Sequence, residues 1–211
     1  MSAKTAKVIT WDEIGKRFTT DRECLASYLA YHSAEILEGV KPGNLISLHD
    51  RRRPCGRNLY RLWSRFGEAL LLEAGLQYRV MADRGGHLLL FLYRRDLLAG
   101  ILGRGGARAI LRRSGYPQGF CVETALDELC RRVRAEAFPH EFGLFLGYPL
   151  KDVVGFMGWV ELPCTAGGLW RIYGEPARSK ELDDCFRRCR CDMARRLCQA
   201  SDPLNLLKKV S

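Results

Sequence analysis

The sequence predicts an α/β fold: a mixed β-sheet of about five strands that includes a hairpin, with helices packed on it. Three observations carry this expectation. Apolar residues recur at helical spacing in several segments bounded by capping signals, and short apolar runs of strand length stand between them. Residues 88–92 are apolar without a break, the mark of a strand covered on both faces. With 211 residues, 47% hydrophobic and 27% charged, the chain has ordinary globular composition and the length of one domain. We therefore expect a single domain over residues 1–211, with 1–20 and 200–211 peripheral.

In chain order, Thr10 followed by Glu13 is a capping box, in which hydroxyl and carboxylate reach each other's backbone N–H, so a short helix is expected to about Phe18. Thr20 and Glu23 repeat the signal. The second helix should run to Glu38 and stop at Gly39, burying Leu25, Tyr28, Leu29, His32 and Ile36. After the Lys41-Pro42-Gly43 turn, 44–48 reads as a strand and 49–57 as a polar loop holding Arg51, Arg52 and Arg53. Leu59, Leu62, Trp63, Phe66 and Leu70 define a helix closed by Gly75. Residues 76–82 and 87–93 flank Asp83-Arg84-Gly85-Gly86 as a hairpin, with 88–92 the central strand. Glycines break residues 94–115 into two short helices around a joint, and Val122, Leu126, Leu129, Val133 and Ala137 mark another helix. Residues 162–168 read as a loop, 169–173 as a last strand, and 177–200 as a final helix burying Leu182, Cys185, Phe186, Cys189, Met193 and Leu197.

Residues 138–156 are the most constrained stretch, because two prolines and three glycines punctuate an apolar segment that also holds His140, Glu141 and Tyr148. Within it, 142–146 is expected as a short strand or buried turn, 147–149 as a tight bend and 150–157 as a helix. This block, with Tyr31-His32, the Lys41-Pro42-Gly43-Asn44-Leu45 turn and Trp170-Arg171-Ile172-Tyr173-Gly174, resembles a bacterial family known as domain of unknown function 3793, many of whose members come from anaerobes. The resemblance implies a common fold and an anaerobic setting, and brings no activity. That family often carries Cys after the His matched by His32, with Pro and Thr soon after. Here Ser33, Glu35 and Ile36 stand, so no thiol is offered at that place.

The ligand-binding candidates are His32, Lys41, His140, Glu141 and Tyr148. An imidazole titrates near neutrality and a tuned carboxylate can exchange protons, so His140 and Glu141 can serve a cleft as acid and base, although bonding backbone in a tight turn explains them equally. His32 is a core histidine unless it meets His140 across a pocket, and Tyr148 plugs the core unless its phenol faces a ligand. Two imidazoles with Glu141 or a cysteine can hold a metal, but no local ligand spacing supports one, and none is expected. Arg104, Gly105 and Gly106 are anion-binding candidates, since free N–H groups at a helix start attract negative charge; the segment lacks the Lys-Ser/Thr of a P-loop.

A formal charge of +10, from 34 basic and 24 acidic residues, attracts anions. The leading expectation is an anionic small molecule or cofactor, of unassigned identity, bound in a pocket lined by 138–156 and the 32–45 segment. The alternatives are nucleic-acid binding through the Arg51–Arg53 loop and the arginines of the last helix, and an assembly or regulatory interaction module. No motif of known reaction chemistry is complete, so enzymatic activity is left open. The longest apolar run is too short to cross a bilayer and no export signal is present, so a cytoplasmic protein without membrane partner is expected. In that setting the nine cysteines should be reduced thiols. Cys185 and Cys189 are expected to be buried, and Cys191 and Cys198 to share an exposed Arg-rich face.

Overall fold

In the computed structural model, which describes residues 10–135 and 138–208, twelve α-helices and a π-helical turn surround five strands. The N-terminal part comprises α1 (Trp11–Ile14), α2 (Asp21–His32), α3 (Ala34–Leu37), β1 (Gly43–His49) and α4 (Leu59–Leu62). A π-helical turn (Trp63–Gly67), α5 (Glu68–Ala74), β2 (Gln77–Asp83) and β3 (His87–Tyr93) follow. Then come α6 (Arg95–Leu102), α7 (Gly105–Arg113), α8 (Val122–Arg134), α9 (Phe142–Phe145) and α10 (Leu150–Phe156). The chain closes with β4 (Cys164–Gly167), β5 (Arg171–Tyr173), α11 (Ala177–Gln199) and α12 (Leu204–Leu207). The class is α/β as expected, and the five strands divide between an antiparallel sheet of order β1-β3-β2 and a small β4-β5 hairpin.

The apolar run 88–92 now has its cause. Leu88, Leu90 and Leu92 of central β3 enter a core built with α1–α5, α12 and the second half of α11, whereas Phe91 and Tyr93 enter a second core under α6–α10. Helices therefore cover both faces, and every position of the strand is apolar because each face is a core. Met81 is the extra residue of a bulge in β2, where Val80 pairs with Leu90 and Ala82 with Leu89. The bulge turns both Met81 and Ala82 into the second core.

Several boundaries differ from expectation for identifiable reasons. Both capping boxes are present, yet α1 ends at Ile14, and Ser33 (φ −109°, ψ 8°) separates α2 from α3. Gly39 closes α3 at φ +75° and Gly75 closes α5 at φ +67°, both in the left-handed region. Residues 142–145 are helical rather than a strand, and Leu146 begins the turn that follows. Phe142, Leu144 and Phe145 are all buried, so α9 shows no polar face and its period is invisible in the sequence. Residues 164–167 form a strand where a loop is predicted, because β4 is largely exposed and carries no apolar alternation. Residues 10–20 and 200–208 contribute Trp11, Ile14, Phe18 and Leu207 to the first core rather than lying at its periphery, while the expectation for 1–9 and 209–211 lies outside the described residues. Cys198 is half-buried against that core beside Ala194 and Leu197, not on an open face with exposed Cys191. Leu182, Cys185 and Cys189 are half-buried rather than fully buried.

Candidate functional site

Tyr148 is the pivot of the 138–156 stretch. The bend that presents it requires Gly147 at φ +75°, where a Cβ would also lie 2.6 Å from Pro42. Its ring stacks on Trp170 at 4.5 Å and burial pushes its phenol up to about 12. Behind it, Lys41 is 2% exposed, with Nζ 5.6 Å from the Tyr148 ring centre and 5.1 Å from that of Phe186. Lys41 Nζ donates to Asn44 Oδ1 at 3.1 Å, and Asn44 Nδ2 donates to the His32 carbonyl at 2.7 Å. Burial lowers the Lys41 amine to about 8; nearby Glu35 opposes this and Arg190 adds to it. Thus Lys41 and Tyr148, two of the predicted residues, are neighbours.

The other candidates lie apart. His32 is wedged against Tyr28 at 4.2 Å and Tyr31 at 5.1 Å, and desolvation, helped by Arg190 and Arg53, lowers its imidazole to about 3. It is a neutral ring packed among aromatics. His140 is exposed and sits edge-on to Phe156 at 5.0 Å, whereas Glu141 is buried and accepts from Arg132 at 3.3 Å. The two adjacent side chains thus have separate neighbours.

Two concavities meet at Tyr148. One, of about 570 Å³, is aromatic: Phe138, Phe142, Phe156 and Trp170 wall it, with His140 and Arg171 at its polar edge. The other is a groove of about 690 Å³ that contains Val40 from the 32–45 segment, Gly147–Lys151 from the constrained stretch, Arg104 before α7, and Arg178 and Glu181 of α11. Ile101, Leu150, Leu182 and Cys185 supply its apolar walls. Gly106, the last of the anion candidates, abuts this groove, since a Cβ there would meet Leu150 at 2.6 Å. Arg104 and Arg178 form no ion pair with any described residue, so their charges face the groove uncompensated except by Glu181.

Sequence reading missed the residue that holds these walls together. Asp152, 2% exposed, accepts from Lys151 Nζ (2.7 Å) and the Tyr173 N–H (2.9 Å) through Oδ1, and from Trp170 Nε1 (2.8 Å) and Ser179 Oγ (2.6 Å) through Oδ2. It ties α10 to β5 and to the start of α11. Burial alone would raise its carboxyl; Lys151, Ser179, Tyr173 and Trp170 outweigh burial and hold it below the usual range. Gly155 allows the same approach, because a Cβ would strike the Tyr173 ring at 2.6 Å. Also missed is the pair of half-buried Arg190 with fully buried Glu35 at 2.5 Å, beside which Ser33 Oγ, Glu35 Oε2 and Arg190 Nε lack partners. Among the described residues no three His, Cys, Asp or Glu side chains converge to hold a metal ion. No helix among them is long and apolar enough to cross a membrane.

Fold and site together define an α/β protein with helices on both faces of an antiparallel sheet and two concavities flanking one bend. The chain belongs to the family described as protein of unknown function DUF3793, whose model matches residues 29–207. The match covers the sheet, the constrained stretch and all of α11, and begins within α2. Comparison with curated proteins and with solved structures finds no match.

Proposed function

We propose that the protein binds an anionic small molecule or cofactor in the groove between Val40, Arg104, the Gly147–Lys151 bend and the start of α11. One observation carries the reading: Arg104, Lys151 and Arg178, from three separate chain segments, line one groove that holds Glu181 as its lone carboxylate. At about 690 Å³ the groove falls in the range of small-molecule sites, roughly 300–1,000 Å³. Its make-up suits an amphipathic anion. The charged end would lie against the two unpaired guanidiniums, which favour planar bidentate contacts, and the apolar body against Ile101, Leu150 and Leu182. Tyr148 would form the wall over buried Lys41, whose charge adds to the field without touching the ligand.

Many arginines that a nucleic-acid reading would use are already paired: Arg53 with Asp12, Arg187 with Asp183, Arg190 with Glu35, Arg195 with Asp192 and Arg196 with Glu38. This favours the small-molecule reading. Native mass spectrometry of the protein purified without oxygen tests it. The expected result is a retained anionic mass that the Arg104→Ala/Arg178→Ala variant loses. A ligand retained equally by both proteins would overturn the groove assignment.

A further inference from the structure

A third concavity, of about 490 Å³, lies beside the first core at Leu62, between the loop after β1, α4, the π-helical turn and the first residue of α2. Arg51, Arg52, Arg57, Arg61 and Arg65 line it, against two carboxylates, Asp21 and Asp50, so its lining carries an excess of three positive charges. The carboxylates position arginines rather than silence the site. Asp21 accepts from Arg57 at 3.1 Å and from Arg65 at 3.4 Å, while Asp50 accepts from Arg61 at 3.0 Å and from Asn58 at 2.5 Å. Arg57 is further fixed by donating to the Thr19 carbonyl at 2.7 Å.

Arg51 and Arg52, in contrast, are exposed and make no side-chain bond to any described residue. Arg61 and Arg65 are four residues apart across the junction of α4 with the π-helical turn, which places both guanidiniums on the cavity side. That turn is itself held by Gly67, where a Cβ would lie 2.3 Å from the Trp63 ring, and single π turns recur at functional sites. Three guanidiniums are thus held in place and two are free to close.

We infer that this cavity binds a small phosphorylated molecule through a terminal diphosphate. Guanidinium forks match phosphate oxygens in pairs, and a diphosphate's roughly three negative charges offset the surplus of the lining. A concave site of this size accepts such a group, and it is separate in residues and charge from the groove at Tyr148.

The test is calorimetric titration of the full chain with inorganic pyrophosphate at low ionic strength, where exposed charges are least screened. One site is expected, with affinity at least tenfold weaker in Arg51→Ala/Arg52→Ala and unchanged in Arg104→Ala/Arg178→Ala. The free arginines carry no folding contacts, and Arg51→Lys/Arg52→Lys, which keeps charge but loses the fork, should fall between. Absent binding to the wild type, or equal binding by Arg51→Ala/Arg52→Ala, overturns the inference. A single-stranded oligonucleotide that binds more tightly than pyrophosphate, with the same dependence on Arg51 and Arg52, overturns the small-molecule assignment in favour of nucleic acid.

Discussion

Replacing Asp152 by Asn changes almost no volume, yet it should be one of the most damaging single substitutions in this chain. Four donors converge on the two carboxylate oxygens, two on each. An amide offers one oxygen and one NH2, so in either orientation two donors face another donor. Each lost hydrogen bond to a charged partner is worth about 1.5–3 kcal/mol. Lys151 is about a third exposed and its share is screened by solvent, which sets the sum at roughly 3–5 kcal/mol. Urea denaturation followed by tryptophan fluorescence measures the loss, and the freed Trp170 indole should shift the native emission. The Asp152 carboxyl lies lower in the folded than in the unfolded chain. Its stabilisation is therefore complete above the unfolded value of about 3.9 and lost as pH falls below it through the folded value. The variant should show a flatter acid limb. A loss below about 1 kcal/mol with unchanged emission would refute the reasoning.

Other consequences are as direct. Arg190→Ala strands the fully buried Glu35 carboxylate and should cost about 3 kcal/mol, whereas Glu35→Ala added to it should recover part of that loss; strict additivity in urea denaturation would deny the pair. His32 is held neutral with a folded value near 3, below the unfolded one, so its contribution is present above about pH 6.5 and lost as pH falls. His32→Gln should flatten stability between those limits, as thermal melts across pH would show. In alkylation with mass-spectrometric mapping, exposed Cys121, Cys164 and Cys191 should react first. Buried Cys24, pushed up to about 12 by desolvation and then by Cys55, and Cys130, raised by burial, should react last.

What the sequence made legible follows from local physics. Residues 88–92 announced the central strand because two cores face it, and Thr10, Thr20, Gly39 and Gly75 marked helix ends because caps and left-handed turns admit few residue types. Helix α9 and strand β4 were hidden for opposite reasons: one is apolar on all sides, the other nearly all exposed, and neither shows a period. Lys41 and Tyr148 stood out as polar groups in apolar surroundings and do adjoin. Asp152 did not, since its donors at 151, 170, 173 and 179 converge only after β5 folds onto α10. Glu35 and Arg190 lie 155 residues apart, whereas the arginines of the other cavity all fall between 51 and 65 and only Asp21 reaches it from elsewhere in the chain.

The central claim is that the groove beside Tyr148 holds an amphipathic anion. It is tested most directly by fluorescence titration with anilinonaphthalene sulfonate, an apolar anion of suitable size, on the native protein and on Arg104→Ala/Arg178→Ala. One saturable site is predicted in the native protein, with affinity reduced roughly 10- to 100-fold in the variant, the effect of losing two charge-assisted contacts. Equal affinity in the two proteins, both folded by circular dichroism, would contradict it.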